Sequence, residues 1–216
     1  MGGLGAPASI ALARAGVGVL GLSDSDCVDL SNLHRQILYR TEDIGLFKAS
    51  TAAKRLTAMF PKLQVEELAA LTAENMATEL RRWDIILDGT DSIETKFLLS
   101  DIAVQEGLTL VHAGVVQHRG LVTTISSGGP CYRCFFEAPP PPGENITCQD
   151  AGILGAAAGF VAGLQVTEAL RILLGKAPAL AGRLLTIDLS RFLVREVPFQ
   201  INPRCLACHK QITGGL

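Results

Sequence analysis

The stretch at residues 22–36 carries the residue types with the clearest chemistry. It reads LSDSDCVDLSNLHRQ and follows a short apolar run, and upstream the chain opens with MGGLG before an alanine-rich segment. A glycine turn, a helix, a strand and then an acid are the parts of a nucleotide site, because glycines let backbone N–H groups approach phosphate and the acid accepts hydrogen bonds from ribose. We therefore predict that Gly3 and Gly5 contact phosphate and that Asp24 contacts ribose, with Asp26 on the same polar rim. Taken alone, Asp24 would fit a helix cap or a solvated turn equally well.

Two cations and one further acid could act on the phosphates. Arg35 offers a planar fork suited to phosphate oxygens and Lys48 a compact charge, although exposure at the surface is the usual fate of either side chain. Asp91 follows the short apolar run Ile85–Leu87. Its carboxylate suits Mg²⁺, which prefers oxygen ligands, and its position equally suits the N-cap of the next helix.

Four of the six cysteines form two widely separated C-x-x-C pairs, Cys131 with Cys134 and Cys205 with Cys208. Two such knuckles closing one tetrahedral zinc site is the favoured interpretation. The alternatives are redox dithiols, or a c-type haem attachment at the second pair, which His209 follows.

Cys148 lies outside these pairs, in the polar sequence NITCQD. It is either a small buried hydrophobe or a thiol able to form a covalent link or take up sulfur. Cys27 is interpreted as a packing residue with no chemical role. His34, His112 and His118 have no metal-ligand spacing.

Hydrophobic periodicity places these residues on an α/β framework. Helices and strands alternate up to about residue 113, as in a mostly parallel sheet, and antiparallel strands follow. The proline-rich residues 137–144 predict a loop. The predicted helices cover residues 7–15, 48–60, 73–82, 93–106 and 151–174, and the predicted strands cover 17–24, 63–68, 84–88, 108–113, 115–120, 121–126, 183–189 and 192–198.

The start of the chain departs from this framework. A nucleotide-binding βαβ unit has a strand before its glycine turn, whereas this sequence opens on Met1-Gly2-Gly3. We therefore expect residues 1–216 to form a single domain whose first strand and helix lie upstream.

The overall composition limits the function classes. With 216 residues, 48% of them hydrophobic, and a formal net charge of −2, the chain can bury a core and shows no electrostatic preference for nucleic acid or anionic membrane. No basic signal segment opens the sequence, and its most apolar segment, residues 151–164, is too short and glycine-rich to span a bilayer. We expect a cytoplasmic protein that binds neither nucleic acid nor membrane.

Seven motifs, in order along essentially the whole chain, resemble the ubiquitin-activating-type family that includes HesA, MoeB and ThiF. They are GGLG at 2–5, LSDSDCVDLSNLHRQ at 22–36, GLFKAS at 45–50, DGTDS at 88–92, CYRC at 131–134, ITCQDAGILG at 146–155 and PRCLAC at 203–208.

The resemblance implies a Rossmann-like, doubly wound, mostly parallel sheet with a C-terminal antiparallel extension and a four-cysteine zinc site. It implies ATP-dependent adenylylation of the C-terminal Gly-Gly carboxylate of a small ubiquitin-like sulfur-carrier protein, with ATP, Mg²⁺ and Zn²⁺ as cofactors. Arg35 and Lys48 would act on the triphosphate, Asp91 on magnesium, and Cys148 is a further catalytic candidate. The implied nucleotide-binding set is Gly3, Gly5, Asp24, Asp26, Ser31, Asn32, Leu33, His34, Arg35, Gln36, Lys48, Asp91 and Ser92, the last standing where the family usually has Asn.

Within the family, the run from CYRC to CQDAGILG looks most like MoeB, which implies molybdopterin cofactor biosynthesis, with a thiamine-pathway enzyme as the alternative. The resemblance also implies a homodimer and a separate sulfur donor such as a cysteine desulfurase. Two other functions stay open: a non-catalytic, zinc-stabilised docking module for a ubiquitin-like tail, and an NAD-dependent oxidoreductase built on the same glycine turn.

Overall fold

The computed structural model describes residues 1–141 and 152–208, in which helices and strands largely alternate. The helices are α1 (Gly5–Arg14), α2 (Lys48–Met59), α3 (Met76–Leu80), α4 (Ile93–Glu106), α5 (Tyr132–Phe136) and α6 (Gly155–Leu173). The strands are β1 (Val19–Leu22), β2 (Gln64–Glu67), β3 (Ile86–Asp88), β4 (Leu110–Val116), β5 (Arg119–Ile125), β6 (Arg183–Asp188) and β7 (Leu193–Pro198).

The strands form two sheets. Strands β1 and β2 pair in parallel, with Val19 opposite Gln64, and a five-stranded sheet has the order β3-β4-β5-β6-β7. Strand β3 pairs with β4 in parallel, and β4 to β7 are antiparallel neighbours. The predicted α/β class and the C-terminal antiparallel extension are confirmed.

The two parallel strand pairs lie in separate sheets, β1 with β2 in one and β3 with β4 in the other. In the described ranges, β1 and β3 each have a neighbour on one edge only. A cavity of about 760 Å³ lies at their amino-terminal ends, lined by residues 15–19, by residues 82–84 and by leucines of α6. A Cβ added at Gly21 would collide with the ring of Trp83, so this indole covers part of β1. The expected strand upstream of the glycine turn stays a prediction.

Helix α6 forms the centre of the main core. Its buried face carries Ala157, Ala158 and Val161 and packs on α1, β4 and β5. By length and composition alone this helix could cross a bilayer. Its Gln165 and Glu168 are nevertheless buried and hydrogen-bonded to groups of the strands, as in the core helix of a globular domain.

Several boundaries differ from the prediction, and three differences stand out. Strand β4 continues through Gly114 to Val116, and the hairpin turns at Gln117, which adopts a positive φ of 54°, so the predicted strand at 115–120 is wrong. Helix α3 starts only at Met76, because the Asn75 side chain bonds the Thr72 and Ala70 backbone and holds a turn there. Helix α5 lies inside the first cysteine knuckle and was not predicted.

We predict that Gly120→Ala destabilises the fold by about 1–3 kcal/mol through overpacking. A Cβ at this position of β5 would collide with Val161 Cγ2 of α6. The double variant Gly120→Ala/Val161→Ala should unfold at a higher urea concentration than Gly120→Ala alone, because the second change removes the colliding methyl group.

The matched control is Gly159→Ala, on the exposed face of α6, where an added Cβ would meet no atom within 4 Å. It should raise stability by about 0.5–1 kcal/mol through helix propensity. Equal urea midpoints for Gly120→Ala and the wild type would contradict the packing described above.

Candidate active site

The glycine turn at residues 2–4 leads directly into α1. The helix N-cap, Leu4, has no side chain that caps the first turn. The backbone at Gly3 packs on Arg35, because a Cβ added at Gly3 would lie 3.4 Å from Arg35 Cδ. A Cβ added at Gly2 would lie 3.7 Å from Gln36 Nε2. The N–H groups of Ala6 and Ala8 already donate to Gly2 O and Leu4 O, and Pro7 has no N–H. The N–H groups of residues 3–5, beside the Arg35 guanidinium, are therefore the ones that suit an anion such as phosphate.

The polar stretch after β1 is held in place by ion pairs instead of a long helix or strand. Lys48 Nζ donates to Asp26 Oδ2 at 2.7 Å, and the Lys48 backbone N–H donates to Asp26 O at 2.8 Å. Further along, Arg55 of α2 donates through Nε to the buried Asp43 at 2.7 Å. These contacts hold residues 26–47 against α2.

Asp24 lies beyond the end of β1 and faces the start of the chain. One carboxylate oxygen contacts the Met1 ammonium, and the other accepts the Asp26 N–H at 2.8 Å. Tyr39 joins this region to α2, since its hydroxyl lies 3.0 Å from Met1 O and 3.2 Å from Lys48 O. Burial raises the pKa of Tyr39, so its proton stays available for donation.

Arg35 and Gln36 both carry buried polar atoms without a partner in the described part of the chain. Arg35 Nη2 donates to Asn32 Oδ1, and Nη1 donates to Ser31 O at 3.3 Å. Arg35 Nε and Gln36 Oε1 are buried and unpaired. Because such atoms are costly to bury, their position beside the glycine turn is what a site for a polar ligand would show.

Asp91 lies in the turn between β3 and α4. The cap of α4 is Ser92, whose Oγ accepts the Thr95 N–H at 3.1 Å, so the alternative of Asp91 as the helix cap is wrong. Asp91 is exposed, and its carboxylate has no bonding partner among residues 1–141 and 152–208. The turn is close to the glycine turn, because a Cβ at Gly89 would lie 3.3 Å from Gly5 N.

Three other residues predicted to bind nucleotide, Ser31, Leu33 and His34, contact neighbouring parts of the fold. Ser31 is held by Asp29, the cap of a short 3₁₀ turn, and Leu33 packs on the main core. His34 Nε2 lies 3.1 Å from Ile153 O, so this ring contacts the segment before α6. The structure therefore gathers Asp24, Asp26, Arg35, Gln36, Lys48 and the Asp91 turn around residues 1–5.

A buried charged group beneath the Asp91 turn was missed from the sequence. Asp88 Oδ2 lies 2.9 Å from Lys96 Nζ and 2.6 Å from His112 Nδ1. Burial alone would raise the pKa of Asp88, but Lys96 and His112 hold it at about 2. Burial lowers the pKa of His112, so its imidazole is uncharged at pH 7 where it lies against the Asp88 carboxylate. The available signal was that Lys96 shares the apolar face of α4 with Ser100, Ala103 and Val104.

The four paired cysteines meet at one point. Their Sγ atoms all lie within 4.8 Å of one another, with Cys131 Sγ 3.5 Å from Cys205 Sγ and Cys134 Sγ 3.6 Å from Cys208 Sγ. Burial raises the pKa of the Cys131 thiol and raises that of Cys208 to about 12. Four sulfurs at this spacing, three of them on buried cysteines and Cys134 half-buried, could hold a metal ion, whose charge would stabilise the thiolates.

The two remaining cysteines are elsewhere. Cys27 is exposed, and it is bridged through its backbone to Phe47. Cys148 lies outside the described residues, so the structure does not bear on its predicted role.

A family model described as the ThiF family matches residues 1–207. The chain is 42% identical to a sulfur carrier protein adenylyltransferase of Thermus thermophilus, with 98% of this chain and 81% of the relative covered. It is 39% identical to the SAMP-activating enzyme E1 of Haloferax volcanii, covering 96% of this chain and 77% of that one.

Other relatives are longer. The adenylyltransferase and sulfurtransferase MOCS3 of Anopheles gambiae is 39% identical over 98% of this chain, which spans about half (49%) of that protein. Among solved structures, Escherichia coli MccB in complex with MccA-N7isoASN shares the fold, with a TM-score of 0.82 at 21% identity, covering 96% of this chain and 65% of MccB. The match over residues 1–207 and the relatives near 40% identity show that the chain belongs to the ThiF family.

Proposed function

We propose that this chain is an adenylyltransferase that uses ATP to activate the C-terminal carboxylate of a small ubiquitin-like sulfur carrier. A carboxylate oxygen of the carrier attacks the α-phosphorus of ATP. The bond from that phosphorus to the bridging oxygen breaks, and pyrophosphate leaves with the electron pair. The product is a carrier acyl-adenylate, ready for attack by a sulfur nucleophile.

One structural observation carries the proposal: a polar rim with two cations, Arg35 and Lys48, lies beside the glycine turn. Arg35 packs on Gly3, and the Tyr39 hydroxyl lies between Met1 O and the backbone carbonyl of Lys48. The family membership supports it, and so do relatives named as adenylyltransferases of sulfur carriers. These names argue against the NAD-dependent oxidoreductase.

The charged residues of the site would act on the electrostatic repulsion between the two reactants. The carboxylate and the α-phosphate are both anionic, so positive charge must lower their repulsion and stabilise charge that moves onto pyrophosphate. Arg35 and the first turn of α1 would bind phosphate oxygens, and Asp24 would accept ribose hydroxyls. Lys48 would add a second charge, in exchange for part of its contact with Asp26.

Asp91 fits a magnesium ligand, because it is an exposed carboxylate with no partner in the described ranges, beside the glycine turn. Mg²⁺ bound there would neutralise phosphate charge. Ser92 is engaged as the cap of α4, so its predicted contact with the nucleotide would have to use the same hydroxyl.

We propose zinc as the ion for the four-cysteine cluster. A closed set of four thiolates is typical of structural zinc. The cluster joins α5 to the segment at 205–208, and Arg133 within the first knuckle forms a bidentate pair with Asp101 of α4 at 2.8 Å. Zinc would thus fasten the C-terminal segment to α4.

The finer assignments stay proposals. The resemblance to MoeB favours a carrier of molybdopterin biosynthesis over one of the thiamine pathway. A separate sulfur donor, a homodimer, a cytoplasmic location and a single domain completed by an upstream strand are all proposed from the sequence. A non-catalytic docking module would bind nucleotide without turning it over.

We predict that ATP–pyrophosphate exchange depends on a Gly-Gly carrier and that Asp91→Ala lowers its rate by about 10²–10³, because phosphate charge is then left unscreened. The assay uses purified carriers of both pathways and measures labelled pyrophosphate entering ATP. Zinc content should not change in the variant.

The matched control is Glu74→Ala, which removes another exposed acid, from the turn before α3. Its exchange rate should equal that of the wild type. Absence of exchange with every carrier, in a protein that binds ATP, would support the docking module instead.

A second prediction concerns the metal. Cys205→Ser should lower zinc from one ion per chain to a small fraction and reduce the urea midpoint, because one of four thiolates is lost. Zinc is measured by plasma mass spectrometry. The control is Cys27→Ser, an exposed cysteine outside the cluster, which should keep one zinc. Full zinc retention in Cys205→Ser would refute the four-cysteine site.

A further inference from the structure

A buried ion pair lies directly beneath the turn that carries Asp91. Asp88 ends β3 and is 1% exposed, and Lys96 lies near the start of α4 and is 7% exposed. Lys96 Nζ lies 2.9 Å from Asp88 Oδ2 and donates to Ala113 O at 2.6 Å. The proposed reaction gives neither side chain a role, since both are enclosed by protein.

Asp88 is fixed by three different elements. Lys96 reaches it from α4, and His112 Nδ1 of β4 lies 2.6 Å from the same carboxylate oxygen. Gln165 of α6 donates through Nε2 to the Asp88 carbonyl and to Val111 O, each at 2.8 Å. Asp88 Oδ2 therefore accepts from the Lys96 ammonium and lies against the His112 ring, whose nitrogens make no hydrogen bond within the described residues, while Gln165 fixes the Asp88 backbone.

The other oxygen of Asp88 holds the turn. Asp88 Oδ1 accepts the Thr90 N–H at 2.9 Å, and Thr90 Oγ1 accepts the Ser92 N–H at 3.2 Å. Ser92 in turn caps α4. Asp91 is the residue between these two anchors, and Gly89, which precedes them, touches the first residue of α1.

Stability alone does not explain a charged pair in this place. Moving two charges out of water costs much of what their attraction returns, and replacing a buried pair by apolar residues is often neutral or stabilising. An aspartate whose two oxygens bind different partners in a fixed direction does supply what an apolar pair cannot, which is a defined position for the turn above it.

We infer that Asp88 and Lys96 are positioning residues whose ion pair holds the turn at residues 89–92, so that Asp91 is presented beside the glycine turn. The inference rests on the proposed function in assigning Asp91 to nucleotide and magnesium. It adds that the buried ion pair, which is enclosed by protein, determines how tightly Asp91 binds Mg²⁺ and nucleotide.

The test uses the double variant Asp88→Asn/Lys96→Met, which removes both charges while nearly preserving shape. The substituted amide can still accept the Thr90 N–H but is no longer oriented by a cation. Lys96→Met alone would leave a buried carboxylate without its cation and is avoided. Lys96→Arg, which keeps the charge, serves as the conservative variant.

Three quantities are measured on the full chain: the urea midpoint, the affinity for ATP with and without Mg²⁺ by calorimetry, and amide hydrogen exchange at residues 89–92. In the double variant we expect a folded protein with faster amide exchange at residues 89–92. Its Mg·ATP affinity should be about tenfold to a hundredfold lower, as when a group that orients a metal ligand by hydrogen bonding is removed. Affinity for ATP without Mg²⁺ should change less. Lys96→Arg should lie between the double variant and the wild type.

The matched control is Thr124→Val, which removes a buried hydrogen bond of 3.0 Å to Glu168, a pair with no bond to the turn. It should lower the urea midpoint and leave Mg·ATP affinity unchanged. A folded double variant with wild-type Mg·ATP affinity would overturn the inference, whether or not turn exchange rises. If the wild type shows no pyrophosphate exchange while the double variant still loses Mg·ATP affinity, the proposed reaction fails and the positioning role stands.

Discussion

Close approach of two backbone segments at glycine residues is the constraint on which the rest of the structure depends. The turn after β3 touches the start of α1, where a Cβ at Gly89 would lie 3.3 Å from Gly5 N, and Gly3 packs on the Arg35 side chain. A Cβ at Gly89 would require the start of α1 to move by a few tenths of an ångström, whereas a Cβ at Gly3 would make an ordinary contact with Arg35. The absence of a Cβ at Gly89 therefore sets the distance between the start of α1 and the Asp91 turn.

Local signals predicted much of this arrangement. Helix α4 runs over Ile93–Glu106 as predicted, and the two C-x-x-C pairs converge as the favoured interpretation of one shared metal site predicted. The glycine turn and the polar stretch after β1 come together because a strand and a helix of ordinary length must place them at the same end. These features depend on residues close in sequence or on motifs with one chemical use.

Features set by distant contacts could not be read from the sequence. His112 falls beside Asp88 only because the register of β3 and β4 pairs these two residues directly. Gln165 of α6, 77 positions away in the sequence, donates to the Asp88 backbone carbonyl. The extension of β4 through Gly114 depends on its pairing with Leu121, which outweighs the low strand propensity of glycine. In each case a tertiary neighbour decides the outcome, and no local pattern encodes that neighbour.

The division of the parallel strands has a practical consequence for handling the protein. In the part of the chain that the structure describes, β1 and β3 each leave one edge without a strand, and such an edge is a row of unsatisfied donors and acceptors. Any extended polypeptide that reaches these rows can add to them, whether it belongs to the same molecule or to a neighbour. Refolding yield will therefore fall as protein concentration rises, since intermolecular strand addition competes with correct closure for the same backbone groups.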